Sequence, residues 1–318
     1  MRKPALLALL TIAMAVGAAQ PAYAPPVKKP QASTDPATAI GQTAATLQGS
    51  VNPRGTATTY RFDYGLTSSY GQSTTPVSAG SGTTATSVSS HVTGLAPGRT
   101  YHFRIEATNS AGTTFGKDRR FTTLPRLTIA TKPSVLVFGS STTISGQLQS
   151  EGNAAQTIEL QANAYPYGGF VTVATTTTDS AGRYSFVRRP PVNTRFRTRT
   201  VKAPLATSPV AGVGVRIRLT RQVSDATPAA GQTVTFSGFA CPAHVGGLLS
   251  LQRRTSTGGW TTVAQTHLVQ TTASSTCGNR SRYQLAIRVF HNRTFRAVAA
   301  ADADHFKGIS PTIGIVVH

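Results

Sequence analysis

The 318-residue chain repeats itself, and that repetition limits its fold more than any other feature. "GSSTTISGQL" (139–148) returns as "GQTVTFSGFA" (231–240). In the same order "TIELQ" returns as "LLSLQ", "GGFVTVATTT" as "GGWTTVAQTH", "GRYSFVRR" as "SRYQLAIR", "NTRFRT" as "NRTFRA", and "VAGVGVRIRL" as "TIGIVVH". Similarity at one long period marks a structural unit used more than once. The pieces alternate apolar and polar residues, the period of a strand with one buried face. Gly, Asn, Ser and Pro clusters separate them, and helical periodicity is almost absent. Residues 125–219 and 220–318 are therefore expected to form two homologous β-sandwiches.

A third unit, 34–124, precedes them. Its expected strands are "TAATLQGSV", "TTYRFDYG", "ATSVSSHVTGL", "RTYHFRIEATN" and "DRRFTT". Leu95, Pro97 and Tyr101 have the spacing of a tyrosine corner. Together with "GSVNPRG", "YRFDYGLTSSYG" and "NSAGTTFGKDRRFTT", they resemble the bacterial version of the fibronectin type III domain. That resemblance implies a Tyr101 ring packed inward, with its hydroxyl bonded to backbone a few residues upstream. Tyr60, Phe62, Tyr64 and Phe103 are then packing residues, and His102 and Glu106 alternate outward onto a solvated face. "TTTTDSAGRYSF" in the second unit resembles a hairpin of bacterial Ig-like and prealbumin-like repeats of exported proteins, a broad and mostly structural or adhesive family. The expected fold class is all-β: three tandem sandwiches, one fibronectin III-like and two Ig-like, behind a signal peptide.

The expected signal is residues 1–19. Arg2 and Lys3 lead into the apolar run 5–16 and then small residues, the order of a secretory signal. Cleavage is expected after Ala19, with Ala24 as the alternative. The run is shorter than the ~20 residues of a membrane-spanning helix, and no later run is long enough. The mature chain is thus expected outside the cell, released or held at the envelope without a covalent anchor, with residues 20–33 as a Pro-rich linker. Cys241 and Cys277 are the only cysteines, so one intramolecular pairing exists. Export favours that bond over two buried thiols.

Lys and Arg number 31 against 10 Asp and Glu, for a net +21. Two readings stand side by side: an acidic partner such as an anionic envelope polymer or polysaccharide, or the Arg-rich usage of a GC-rich genome. The charge is uneven. Residues 125–219 hold 11 Lys and Arg against Glu151, Glu159 and Asp179, a net +8. Residues 34–124 reach only +3, with 7 Lys and Arg against 4 acids. In "NTRFRTRTVK", Arg195, Arg197 and Arg199 share one strand face, and "VRIRL" repeats the device with Arg216 and Arg218. These five are the candidate anion-binding residues, weighed against an ordinary polar sheet face. No aromatic–basic interleaving of the nucleic-acid-binding kind accompanies them, so no specific nucleic acid is expected.

Catalytic signatures are missing. The chain holds no HExxH, no P-loop, no G-x-S-x-G elbow and no zinc-spaced Cys or His cluster, so neither an enzyme nor a cofactor is expected. Asp302, Asp304 and His305 in "ADADHF" could touch a divalent ion, but hard cations want six or more oxygens, and a solvated loop is expected instead. Trp260 in "GGW" corresponds to Phe170 in "GGF", which suggests a shared aromatic plug in the core. The Asn279 and Asn292 glycosylation patterns carry no weight in a bacterial-looking chain. One measurement follows from the cysteine count. Alkylation of freshly secreted chain should leave both cysteines unmodified until reduction; two reactive thiols would refute the bond.

Overall fold

The computed structural model describes residues 26–203, 205–275 and 277–318. The expected signal and both cleavage positions lie outside the described residues. In the first unit, Thr100–Asn109 alternates in and out along its length, burying Tyr101, Phe103, Ile105 and Ala107. Ala45, Leu47 and Val51 of Ala44–Asn52 are buried too, so each sheet has one apolar face to cover. One sheet is Gln31–Thr38, Ala44–Asn52 and Thr86–Thr93. The other runs Gln72–Ser73, Thr58–Gly65, Thr100–Asn109, Gly112–Phe115, with Val77–Gly80 and Arg119–Thr122 also paired to its central strands. The first strand starts at Gln31, so the end of the expected linker belongs to the sheet.

The two repeats form matching sandwiches. In the second unit, Thr142–Gln149 pairs with Arg183–Arg188 and with the short strands Arg126–Leu127 and Ala130–Lys132. Its other sheet runs Val135–Val137, Ala211–Arg216, Thr194–Thr200, Thr157–Ala164, Val171–Thr177. In the third unit, Gln232–Cys241 pairs with Ser281–Val289, and Leu248–Arg254 lies between Trp260–His267 and Arg293–Ala299. A register shift between Leu160 and Gln161 recurs between Leu251 and Gln252, an equivalent bulge in each repeat. Each unit has its own hydrophobic core. Ile217 and Leu219 pack into the third core, and Arg218–Leu219 pairs with Ala240 and Cys241. The chain therefore passes to the third unit shortly before the expected boundary at 219.

A second device is shared by the repeats. The Tyr184 hydroxyl donates to the Thr128 carbonyl, and the Tyr283 hydroxyl donates to the Thr220 carbonyl at 2.8 Å. Each bond ties the entering segment to the strand before the sheet crossover. The tyrosine rings lie over Gly146 and Gly238, where any Cβ would come within 2.0 Å and 2.2 Å of the same carbonyl oxygens, so only glycine fits. Ser208 and Ser310, each before a proline, accept from the backbone N–H groups of Thr198 and Ala297, both at 2.9 Å.

Backbone contacts tie neighbouring units together. Glu151 N–H donates to the Gly98 carbonyl at 2.7 Å, joining the first unit to the second. Between the second and third, Phe306 N–H donates to Val215 and Asn193 N–H to Asp304, at 2.7 and 2.8 Å. The Phe306 ring lies on Gly214, where a Cβ would approach it to 2.4 Å.

Burial pushes both Tyr184 and Tyr283 up to about 12, against smaller opposing contributions from Thr198 and Arg221. Folded chain thus holds these protons after unfolded chain has lost them. Stability should fall as pH rises from about 10 to about 12. In an alkaline absorbance titration, part of the tyrosinate signal should rise late, near 12, and the Tyr184→Phe/Tyr283→Phe variant should lose that part. An unchanged titration in the variant would refute it.

Candidate functional site

Strand alternation puts the stripe where the sequence predicts. Along Thr194–Thr200, Thr194, Phe196, Thr198 and Thr200 are buried, while Arg195, Arg197 and Arg199 lie on the outer face. Arg195 stands opposite Gly212 in the ladder, and Arg216 shares that face by parity and is exposed. Arg218 does not join them. It sits half-buried on the following strand, which belongs to the third unit's sheet.

The stripe is not a row of free guanidiniums. Arg195 lies over the Tyr167 ring at 4.1 Å and Arg197 over Phe170 at 4.2 Å. Arg197 Nε also donates to Gln161 Oε1 at 2.8 Å. Arg199 Nε donates to Glu159 Oε2 at 2.6 Å, and that bond holds the Glu159 carboxyl below the usual carboxylate range. Arg199 therefore brings its own counter-charge, whereas the partners of Arg195 and Arg197 are neutral. The aromatic companions come from the turn that follows the neighbouring strand Thr157–Ala164, so spacing within one strand could not reveal them.

The third unit copies one of these contacts. Arg296 lies over Trp260 at 4.1 Å and donates through Nε to Gln252 Oε1 at 2.9 Å. Arg197–Gln161–Phe170 and Arg296–Gln252–Trp260 are thus one repeated arrangement, placed beside the repeated bulge. This corrects the expected aromatic plug. Phe170 and Trp260 are half-buried on the outer face, each covered by an arginine. A ring on that face lies away from the core and is packed by the guanidinium above it instead.

In the first unit, the Tyr101 hydroxyl accepts from the Ala96 N–H at 2.8 Å, while the Ala96 carbonyl accepts from Thr123 Oγ1 at 2.8 Å. Leu95 is buried and Pro97 partly so, closing the turn around that bond. His102 and Glu106 face outward but are not simply solvated: His102 Nδ1 lies 2.9 Å from Asp118 Oδ2, and Glu106 pairs with Arg61 at 2.7 Å. Arg61 comes from the neighbouring strand Thr58–Gly65 and Asp118 from the loop before Arg119–Thr122. Cys241 and Cys277 are disulfide-bonded, and Ser281 Oγ nearby accepts from the His244 N–H at 3.1 Å.

Two constellations escaped the sequence. Arg253, Arg254 and Arg293 line a groove of about 600 Å³ with Asn292 and Thr294 and no acidic residue. "LQRR" and "HNRT" were visible signals, but their meeting needs the sheet pairing of Arg253 with Phe295. The other joins His244 to the 302–305 loop, in which the polar atoms of His244, Asp302, Asp304 and His305 all lie within 4.8 Å of one another. A solvated loop was expected there, yet His305 is only 1% exposed. It is buried because Phe138 and Pro191 of the second unit pack against it. His244 Nδ1 is 2.5 Å from Asp302 Oδ2, and burial holds the His244 imidazole below its usual range against the pull of Asp302.

No family model and no curated protein matches the chain. Among solved structures it is similar to a tetra-tandem repeat in the extending region of a large adhesion protein. That match has 18% identity and a TM-score of 0.30, over 90% of this chain and 74% of that one. It is also similar to the FN1–FN3 domains of chicken CNTN1, with 14% identity and a TM-score of 0.27, over 92% of this chain and 100% of that one.

Removing the Tyr101 hydroxyl strands the Ala96 N–H, so Tyr101→Phe should cost about 0.5–1.5 kcal/mol, the net worth of one hydrogen bond. Because the cores are separate, only the first unit's unfolding transition should move. Calorimetry of the full chain checks this; an unchanged first transition would remove the corner from its structural role.

Proposed function

We propose that the chain is an exported, non-enzymatic binding or scaffolding protein of the cell envelope or extracellular medium, with an anionic polymer or polysaccharide as partner. The observation that carries this reading is the pairing of the stripe: Arg195 and Arg197 are stiffened by neutral groups, so their charges remain uncompensated on an exposed sheet face. At a rise of about 3.3 Å per residue, alternate arginines stand about 7 Å apart, a spacing that can meet successive carboxylates or phosphates. Each exposed pair is worth only about 0–1 kcal/mol, so affinity requires several contacts and weakens with salt.

The employment of the carboxylates supports a non-catalytic role. Asp63 and Glu106 pair with Arg104 and Arg61, Asp118 with His102, and Glu159 with Arg199. Asp179 and Asp225 accept backbone N–H groups in their own turns. Acids spent on such bonds are poor general acids. No helix among the described residues is long and apolar enough to cross a membrane. A passive spacer is the second reading, favoured by the counter-charge that Glu159 supplies to Arg199.

The mature chain should bind an anionic polysaccharide at low salt and release it as salt rises. Arg195→Ser/Arg197→Ser/Arg199→Ser should weaken that binding and flatten its salt dependence. Arg199→Ser alone should do least, because its charge is already paired. If the triple variant binds like the parent, the face is ordinary solvated surface and the spacer reading takes over.

A further inference from the structure

We infer that His244, Asp302, Asp304 and His305 form a site for one zinc-class divalent ion at the junction of the second and third units. The case begins with a tautomer. His305 Nε2 lies 2.7 Å from the Pro191 carbonyl oxygen, which can only accept, so Nε2 carries the proton. Nδ1 is the ring nitrogen left over, buried in a residue only 1% exposed. It lies 2.9 Å from Asp304 Oδ1 but off the line a hydrogen bond needs, and it has no hydrogen-bond partner among the described residues. A lone pair facing a carboxylate oxygen is repulsive unless a positive charge lies between them.

His244 Nε2 is also buried without a hydrogen-bond partner among the described residues, and the two imidazoles stand edge to face, with centroids 4.9 Å apart. Buried polar atoms left without partners call for an explanation, an ion being one. Two imidazoles and two carboxylates are the donor set of zinc and its first-row neighbours; calcium and magnesium want oxygen ligands only. Donors around a tetrahedral zinc stand roughly 3.4 Å apart. The four groups here lie within 4.8 Å, so small side-chain rotations bring them to that spacing.

The surroundings are those of a supported site. The His305 Nε2–H to Pro191 carbonyl bond is the outer contact that orients a metal-bound histidine. His305 N–H donates to Asp302 Oδ1 at 2.8 Å, folding the loop so that Asp302 and His305 converge. The Cys241–Cys277 bond anchors the other loop three residues before His244. An ion would tie both loops to each other and, through Pro191 and Asn193, to the second unit. It would hold the angle between two sandwiches, a role independent of any anionic ligand on the arginine face.

Untagged mature chain, stripped with a chelator, should take up one Zn²⁺ in competition with a chromophoric chelator. Asp302→Asn/Asp304→Asn, which preserves shape, should weaken uptake at least tenfold. Zinc should also slow amide exchange at Asn193 and Phe306, whose N–H groups bridge the units. Absence of stoichiometric uptake by the parent, or equal uptake by the variant, overturns the site. Unchanged exchange overturns its role at the junction. Should the variant not fold, imidazole nitrogen shifts in the parent decide: Zn²⁺ should move His244 and His305 and leave the other histidines in place, and any other pattern refutes the assignment.

Discussion

A sheet of a sandwich buries one face and gives the other to water, and every notable feature of this chain follows from that division. On the inner side, alternate residues such as Leu47, Phe62, Phe103 and Ile105 pack to zero exposure. On the outer side, alternate positions must be polar, yet they also bring side chains from neighbouring strands within reach. The arginines of Thr194–Thr200 find Glu159 and Gln161 there, on the adjacent strand at the paired positions. An outer face is thus a network as well as a solvated surface, and its net charge depends on which cross-strand partners are acids.

The strand ends impose a second requirement. Where the chain leaves one sheet for the other, backbone groups lose ladder partners and must find others. Tyrosine hydroxyls serve this need in all three units: Tyr101 accepts from Ala96, while Tyr184 and Tyr283 donate to Thr128 and Thr220. In the repeats the ring must also lie flat over a strand, which is why Gly146 and Gly238 sit beneath it. Serine before proline, at Ser208 and Ser310, meets the same need at the other edge.

The loops at the junction carry the most specific chemistry. They are where two units meet, so they bring buried polar groups together without a ladder to satisfy them. Asn193 shows the demand: buried, it accepts from Val215 and donates to Asp304. His305 shows it more sharply, with one ring nitrogen bonded across the junction and the other facing Asp304.

Period-two alternation, the repeated fragments and the turn clusters are local signals, and they were enough to read three sandwiches, the outward arginines and the cysteine pair from the chain alone. Alternation states which side of a strand a residue takes; it does not state who is opposite. Only the register brings Glu159 to Arg199, Arg61 to Glu106, and Trp260 under Arg296. Only the docking of one unit on the next buries His305 beside Phe138 and Pro191, and only the folding of the third unit sets His244 against a loop far along the chain. The physical reason is one of range. Backbone geometry fixes a side chain's direction within a residue or two, whereas its partners, burial and charge come from strands and units that sequence spacing does not connect.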